Sequence, residues 1–212
     1  FFLKSKLKEL DINFFGYENA KKINFLPFDL KGLTGCLTII DTEVENVNLN
    51  SKNSNCEDSI NLINVMGKIK NINISDSYLD GLDIDFSEVE IDSINVRNAG
   101  NDCLDVSFGN YKLNKLIISD CNDKGISVGE KSTIDIKEAE INNTKIGVAS
   151  KDGSTANFEE IYLNNLDTCL AAYNKKQEFN GGNINLNYFQ CNNFITKLKK
   201  DSNSEIIIKN NE

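Results

Sequence analysis

The sequence contains no histidine and no tryptophan, and its 212 residues include one proline and one methionine. Without histidine the chain lacks the imidazole of most zinc sites and of many acid–base catalysts, and no Cys-x-x-Cys pair replaces it. The scarcity of proline is typical of a sheet in which nearly every backbone N–H is needed as a donor. No apolar run approaches the ~20 residues of a membrane-spanning helix, so we predict no transmembrane segment.

Basic residues are in the minority, with 23 lysines and arginines against 32 acidic residues and a formal net charge of −9. No basic stripe is available to displace counterions from a phosphate backbone, so we predict no nucleic-acid partner. The length is ample for one domain with a sizeable core and short for two.

An internal repeat of 22 residues organises most of the chain. The third residue of each repeat is aliphatic and the fifth is apolar or small, while the residue between them is mostly polar. The aliphatic column consists of Ile60, Leu82, Leu104, Ile126, Val148 and Leu170. This is the alternation of a β-strand, repeated in the same register from one segment to the next, so the aliphatic columns should point inward and stack on themselves.

We therefore predict an all-β fold, a single-stranded right-handed parallel β-helix with ~22 residues per coil and about seven to eight coils. An antiparallel sandwich also has short alternating strands, but it has no reason to keep a fixed period, and the signature of leucine-rich repeats is absent. We expect an N-terminal cap and first coil over residues 1–34, and the β-helix with a C-terminal cap strand over residues 35–212. Residues 1–10 are interpreted as an amphipathic helical cap, or as an interface with an upstream domain, and residues 204–209 as the last strand.

The six cysteines form three sets separated by about one coil: Cys36/Cys56, Cys103/Cys121 and Cys169/Cys191. This spacing suits disulfides, and disulfides indicate an oxidising compartment, so the expected location is extracellular or at the cell surface. The alternative is that free cysteines pack in the small columns of the core.

Charged side chains gather at one corner and on the strand that follows it. The corner column is Asp58, Asp80, Asp102 and Lys124, and the outward column of the strand contains Asp83, Asp105 and Ser127. Like carboxylates stacked at the ~4.8 Å strand spacing cannot all ionise freely, so one keeps a proton or a cation joins them. One protonated and one ionised carboxyl is the arrangement that hydrolysis of a glycosidic bond uses. The alternative is that these residues satisfy backbone N–H groups or form solvated ladders.

At these residues the chain resembles the pectin-lyase-like superfamily, and within it the polygalacturonase-type glycoside hydrolases. The matching runs, in order and coil spacing, are Leu79-Asp80-Gly81, Asn101-Asp102-Cys103, Asp123-Lys124-Gly125-Ile126-Ser127-Val128-Gly129 and Ala149-Ser150-Lys151. The chain departs from the family at Asn101, Lys124 and Ala149, where the family has Asp, His and Arg. A lysine at the histidine position is similar to β-helix polysaccharide lyases, which use Lys or Arg as the base and often a calcium ion.

The chain is also similar to uncharacterised bacterial β-helix repeat proteins, through residues 100–107, 123–130 and 175–179. Together these observations predict a secreted or surface β-helix that binds a polysaccharide, with cleavage or epimerisation of the sugar as an open extension. The candidate catalytic residues are Asp80, Asp102 and Lys124, and the candidate substrate-binding residues are Asp83, Asp105, Ser127, Asp123 and Lys151. No dedicated metal ligands are predicted, although Ca²⁺ is a candidate cofactor. The alternative is a non-catalytic structural or adhesive module of a larger chain or assembly.

Overall fold

The computed structural model describes residues 1–17 and 28–211, and within these ranges every regular element is a strand. The strands are β1 (Phe2–Leu3), β2 (Lys6–Lys8), β3 (Asp11–Phe15), β4 (Gly35–Ser54), β5 (Asp58–Ser77), β6 (Asp80–Asp85), β7 (Glu88–Ala99), β8 (Leu104–Ser107), β9 (Asn110–Gly129), β10 (Thr133–Lys151), β11 (Thr155–Tyr173), β12 (Asn183–Lys200) and β13 (Glu205–Asn211). No helix in the described ranges is long and apolar enough to cross a membrane.

Each coil pairs in parallel with the coil before it and the coil after it. In the register of β6, β8 and β9, Leu82 lies beside Leu104 and Leu104 beside Ile126, at the predicted separation of one repeat. The result is a parallel β-solenoid of about eight turns with coils about 22 residues apart. The predicted fold class is confirmed, and an antiparallel sandwich is excluded because every strand pair in the described sheet is parallel.

Several strands are long because the hydrogen-bond ladder continues around a corner of the coil. Such corners hold asparagine and aspartate in the left-handed backbone region, as at Asp76 (φ 61°) and Asn98 (φ 60°). These side chains tolerate that conformation and bond locally, which is why they fill the corners. The Nδ2 of Asn98 donates to Oδ1 of Asp76 in the preceding coil at 2.8 Å, so the corners are also joined along the solenoid axis.

The core is formed by the aliphatic columns that the repeat predicts. All six members of the first column are fully buried: Ile60, Leu82, Leu104, Ile126, Val148 and Leu170. The column two residues further along, which runs from Leu62 to Ala172, is also buried. Burying a Val, Leu or Ile side chain contributes about 1.5–3 kcal/mol, so the stacked columns supply the main driving force for holding the coils in register.

Three disulfides join neighbouring coils, and they are the three pairs that the spacing predicts. Cys36 bonds Cys56, Cys103 bonds Cys121, and Cys169 bonds Cys191, with sequence separations of 20, 18 and 22 residues. Closing loops of this length restricts the unfolded chain and stabilises the fold by roughly 3 kcal/mol per bridge.

The N-terminal segment differs from its prediction. Residues 1–10 contain no helix; they carry β1 and β2, which pair with β4, while β3 extends the same coil. The apolar side chains of Leu7, Ile12 and Phe14 pack on the end of the core, so their spacing reflects strand positions and not a helical face. Part of the predicted N-terminal region, residues 18–27, lies outside the described residues.

The C-terminal strand forms as predicted but covers only part of the last coil. β13 pairs with β12 between Asn183 and Phe189, and no pairing with β13 continues along the rest of β12 in the described residues. Phe194, Ile195 and Leu198 are exposed along this remaining part of β12. The solenoid therefore ends in a partly open apolar edge, which is called the open edge below.

Candidate functional site

Six aspartates of three successive coils share one face of the solenoid, which is called the acidic face. They are Asp58, Asp80, Asp83, Asp85, Asp102 and Asp105. Parallel pairing places Asp58 beside Asp80, and Asp83 beside Asp105, which in turn lies beside Ser127. In-register neighbours on parallel strands are about 4.8 Å apart, so the carboxyl groups of this face are close enough to influence one another.

The outward column of this face is less exposed than expected. Ser127 is fully buried, and Asn61, which lies beside Asp83, is 1% exposed. Further along, Lys151 lies across the strand, with its Cε 3.0 Å from the position that a Cβ on Gly129 would occupy. The column points out of the core, but Asn61 and Ser127 are covered by their neighbours, whereas Asp83 and Asp105 are partly exposed. A direct contact between the Ser127 hydroxyl and a substrate, as predicted, is therefore not open in this conformation.

Burial raises the pKa of the carboxyl groups on the acidic face. The pKa of Asp58 rises to about 7, and the pKa values of Asp80 and Asp105 rise to about 6. Burial also raises the pKa of Asp83 well above its usual value, and the neighbouring Asp58 carboxylate adds to this effect. These directions agree with the expectation that stacked carboxylates do not all ionise freely.

The corner aspartates also have structural partners. Asp80 Oδ1 accepts hydrogen bonds from the backbone N–H of Asp102 at 2.8 Å and from Nδ2 of Asn101 at 2.7 Å. Asp102 Oδ1 in turn accepts the backbone N–H of Lys124 at 2.9 Å. Each aspartate thus satisfies a donor in the next coil, as the structural alternative expects.

Lys124 is held by two carboxylates. Its Nζ lies 3.2 Å from both oxygens of Asp102 and donates a further hydrogen bond to Oδ2 of Asp123. Burial by itself lowers the pKa of Lys124, but the attraction of Asp102 and Asp123 outweighs it, so the pKa is raised. A lysine that acts as a general base needs a lowered pKa, and this geometry works in the opposite direction.

The structure brings the remaining predicted residues near one another at the downstream end of the face. Nζ of Lys151 lies 4.0 Å from Oδ2 of Asp105, and the Lys151 side chain is 7% exposed. Asp123 is the most accessible member of the Lys124 cluster, with a side chain that is 34% exposed. Asp80, Asp102, Lys124 and Asp123 therefore form one linked group, and Asp83, Asp105 and Lys151 form a second group on the strand.

Two phenylalanines beside the acidic face were not predicted. Phe86 directly follows Asp85 and Phe108 directly follows Ser107; their rings stack with centroids 4.9 Å apart and planes within 2°. Both rings are exposed, at 56% and 42%, although both backbones are left-handed, with φ of 52° and 50°. Bulky residues rarely adopt this conformation, and their repetition 22 residues apart was the available sequence signal.

A third ring extends this aromatic group. Phe179, from the irregular segment at 174–182, contacts the edge of Phe108 with ring centroids 6.3 Å apart. The segment is anchored by the backbone N–H groups of Lys175 and Lys176, each of which donates to Oδ1 of Asp152 at 2.7 Å. The insertion at 174–182 thus places an aromatic side chain beside the acidic face, and Phe86, Phe108 and Phe179 are called the aromatic group below.

The carboxylates of the acidic face do not fit a calcium site. In the described ranges no group of three or more acidic, cysteine or histidine side chains is arranged to hold a metal ion. Calcium takes six to eight oxygen ligands at about 2.3–2.6 Å, whereas in the described residues not even three acidic side chains converge on one point. We therefore assign no step to this cation.

A separate polar groove of about 590 Å³ lies on another face of the solenoid and was not predicted. It is lined mainly by charged and amide side chains, among them Glu90, Lys112, Asp135, Lys137, Asn157 and Asn185. Its amides are largely occupied with one another: Asn157 donates to Asp135 and Asn185 donates to Asn157, both at 2.8 Å. The groove is built from ladders that join coils, and it contains none of the predicted site residues.

Comparison of the chain with protein-family models, with curated proteins and with solved structures finds no match. The resemblance to the pectin-lyase-like superfamily therefore stays a prediction, and the function has to be argued from the acidic face itself.

Proposed function

We propose that the protein binds a polysaccharide along the acidic face. The observation that carries this proposal is the aromatic group, in which Phe86 and Phe108 are exposed, beside carboxyl groups that repeat from coil to coil. A sugar ring presents C–H groups on its faces, which suit the negative face of an aromatic ring, and hydroxyl groups at its rim, which donate to carboxylates. A face that repeats along the solenoid axis suits a ligand that repeats along its own chain.

The three disulfides support a secreted or cell-surface location for this activity. Disulfides form and persist in oxidising compartments and are rare where thiols are kept reduced. Extracellular polysaccharides are available to a protein in that location, so the proposed ligand and the proposed compartment agree.

Binding is favoured over cleavage. Asp80, with its pKa raised to about 6, retains enough of the protonated form near neutral pH to act as a general acid. Lys124, however, is held charged between Asp102 and Asp123 and is not a base of the kind that a lyase uses. Asp102 is engaged by the same ion pair, so of the three candidate catalytic residues only Asp80 lies outside it.

The test is a panel of neutral, acidic and amino-group-bearing polysaccharides, scored for binding by affinity electrophoresis and for cleavage by new reducing ends and unsaturated uronate absorbance. We expect retention by at least one polysaccharide and no cleavage products. The variant Phe86→Ala should weaken that retention about fivefold to tenfold, because it removes one ring of the aromatic group.

Phe194→Ala is the matched control, because Phe194 is also an exposed ring but lies on the open edge. Equal loss of retention in both variants would contradict a specific role for the aromatic group. No retention by any polysaccharide, in a sample with the circular dichroism of a folded β protein, would contradict the proposed function.

A second candidate function is a structural or adhesive module, and the open edge favours it. Phe194 and Leu198 are about 40% exposed there, on a strand whose backbone edge lacks a described partner beyond Phe189. Exposed strand edges recruit further strands, so stacking onto another solenoid would cover these side chains. Concentration-dependent assembly that is lost on replacing Leu198 by Lys would support this function.

A further inference from the structure

The only arginine of the chain, Arg97, lacks the kind of partner that other outward cations of the solenoid have. Lys115, for example, lies beside Glu138 of the next coil and pairs with it at 2.9 Å. The register neighbours of Arg97 are instead Ser75 and Ser119. Arg97 is exposed, and no carboxylate of the described residues lies within 4 Å of its guanidinium nitrogens. Its charge is therefore not compensated by a neighbouring coil.

Arg97 belongs to a patch of unused hydrogen-bond donors. Ser75 lies beside it in the register, and Asn95 lies two residues before it, on the same side of β7. In the described part of the chain none of these three side chains forms a hydrogen bond, whereas Asn73 donates from Nδ2 to Asn50 at 2.9 Å. The asparagine ladder thus stops before Asn95, and a hydroxyl, an amide and a guanidinium group are left together without partners.

These donors line a groove of about 340 Å³, which is called the basic groove. Its described lining contains Lys52 and Arg97 but no aspartate or glutamate, whereas the polar groove on the other face has Glu90 and Asp135 beside its lysines. Cations and neutral donors without a carboxylate suit an anionic group. The net charge of the whole chain is −9, so general attraction would not bring a polyanion to this protein and any affinity has to arise locally.

An exposed aromatic ring lies at one end of the basic groove. Phe15 lies beside Lys52 in the register and is 70% exposed. Lys52, Ser75 and Arg97 follow one another in successive coils, so the Phe15 and Arg97 positions are three strand spacings, roughly 14 Å, apart. A ring face suits the C–H groups of a sugar, and this separation suits a ligand of several sugar units.

We propose that the basic groove binds a sulfated polysaccharide, with a sulfate ester on Arg97 and a sugar ring against Phe15. This inference goes beyond the proposed function, because the groove lies on a different strand of the coil from the acidic face and takes a ligand of opposite charge. The two oxygens of a carboxylate are satisfied by the fork of one guanidinium group. A sulfate ester has a third terminal oxygen, which the Ser75 hydroxyl or the Asn95 amide can satisfy.

The experiment compares dextran sulfate with unsulfated dextran of the same length, and with carboxymethyl dextran of the same charge density. Binding is measured by isothermal titration calorimetry at about pH 7, where sulfate, carboxylate and Arg97 are all charged. We expect dextran sulfate to bind at least roughly tenfold more tightly than either of the other two polymers, as charge-assisted hydrogen bonds to Arg97 and its neighbours would provide. Added salt should weaken this binding, because the groove is exposed to solvent.

The variant Arg97→Gln should weaken binding of dextran sulfate about tenfold. Lys112→Gln is the control, because it makes the same change in net charge at an exposed lysine that lies between Glu90 and Asp135 in the polar groove. It should leave the affinity within about twofold. Arg97→Lys keeps the charge but loses the fork, so it should recover only part of the affinity. If Arg97→Gln is not folded by circular dichroism, Arg97→Lys replaces it in the same comparison.

The outcomes separate this inference from the proposed function. Equal affinity for dextran sulfate and dextran, or for dextran sulfate and carboxymethyl dextran, would overturn the inference. Equal losses in Arg97→Gln and Lys112→Gln would overturn it as well, whereas a loss confined to the Arg97 variants supports it. The polysaccharide panel and Phe86→Ala test the acidic face without involving Arg97, so failure of either proposal leaves the other standing.

Discussion

The acidic face has an upstream half, with Asp58, Asp80, Asp83 and Asp85, and a downstream half, in which Lys124 pairs with Asp102 and Lys151 lies near Asp105. The two halves share a scaffold and differ in chemistry. In both halves the inward column is aliphatic and fully buried, as Leu82 and Ile126 show. The outward positions are not under that constraint, so one half carries carboxylates alone while the other pairs them with Lys124 and Lys151. In this solenoid the core columns therefore determine the position of each outward side chain, whereas the charge of that side chain can vary from coil to coil.

The largest expected loss of stability comes from removing the cation of the downstream half, so that its carboxylate is left unpaired. Lys124→Met leaves Asp102, whose side chain is 5% exposed, without its cation. Leaving one member of a buried ion pair uncompensated costs about 3–5 kcal/mol, so the free energy of unfolding in urea should fall by roughly that amount. Lys145→Met, at an exposed lysine of the next coil, should change it by less than about 0.5 kcal/mol.

The double variant Asp102→Asn with Lys124→Met tests the cause of that loss. Because it removes both charges, it should regain most of the stability that Lys124→Met loses. A double variant that is as unstable as the single one would mean that Lys124 stabilises the coil through packing of its aliphatic stem and not through its charge.

The next effect in size is a dependence of stability on pH that arises from the buried carboxyl groups of the acidic face. The folded pKa of Asp58 is about 7 and that of Asp80 about 6, both above the unfolded value of ~3.9. The folded state therefore binds more protons between these values, and stability is lost as the pH rises through them. The pKa of Lys124 is raised above a usual value that already exceeds this range, so Lys124 stays charged and contributes no slope.

We expect the melting temperature to fall between about pH 5 and 8, with each buried carboxyl accounting for on the order of 2 kcal/mol. Differential scanning calorimetry across this range measures it. Asp58→Asn should reduce the fall of the melting temperature with pH. Asp167→Asn, at an exposed residue outside the acidic face, is the control and should leave that fall unchanged. A melting temperature that rises with pH would contradict the raised pKa values.

The smallest effect distinguishes a partly exposed ion pair from the buried pair of Lys124 and Asp102. Nζ of Lys176 pairs with Glu130; the Lys176 side chain is 46% exposed and that of Glu130 is 12% exposed. Surface pairs contribute about 0–1 kcal/mol because water screens them, so Lys176→Met should lower the free energy of unfolding by roughly 0.5 kcal/mol. High salt should reduce even that difference, and a loss as large as that of Lys124→Met would show that the 174–182 segment depends on this pair.

Much of the fold could be predicted because its signal is repeated. A column of six aliphatic residues in one register specifies the coil length, and the cysteine spacing specifies which coils are joined. The N-terminal strands were missed because a short segment of alternating charge and apolar residues, such as residues 1–10, has no repeat of its own to separate strand from helix.

The position of the candidate site could be predicted from the sequence, but the burial and the protonation of its residues could be predicted only in part. The repeat places Asp80, Asp83, Asp102 and Asp105 on one face. Their burial, however, depends on neighbours such as Asn61 and Lys151, and the repeat period does not predict how far those side chains cover them. The same is true of Lys124: the resemblance to polysaccharide lyases implies a base at this position, whereas the contacts with Asp102 and Asp123 hold the side chain as a cation. Phe86 and Phe108 were not predicted, because two phenylalanines 22 residues apart do not by themselves show that both rings are exposed and stacked.

The disulfides give the solenoid a mechanical property. A chain pulled from its two ends would unwind coil by coil, because each coil contacts only its neighbours. Each bridge closes 18 to 22 residues into a loop that cannot extend under load. A force–extension measurement before and after reduction should therefore differ in contour length by three such loops. In the oxidised state, stretches of about one coil would resist extension at three places along the solenoid.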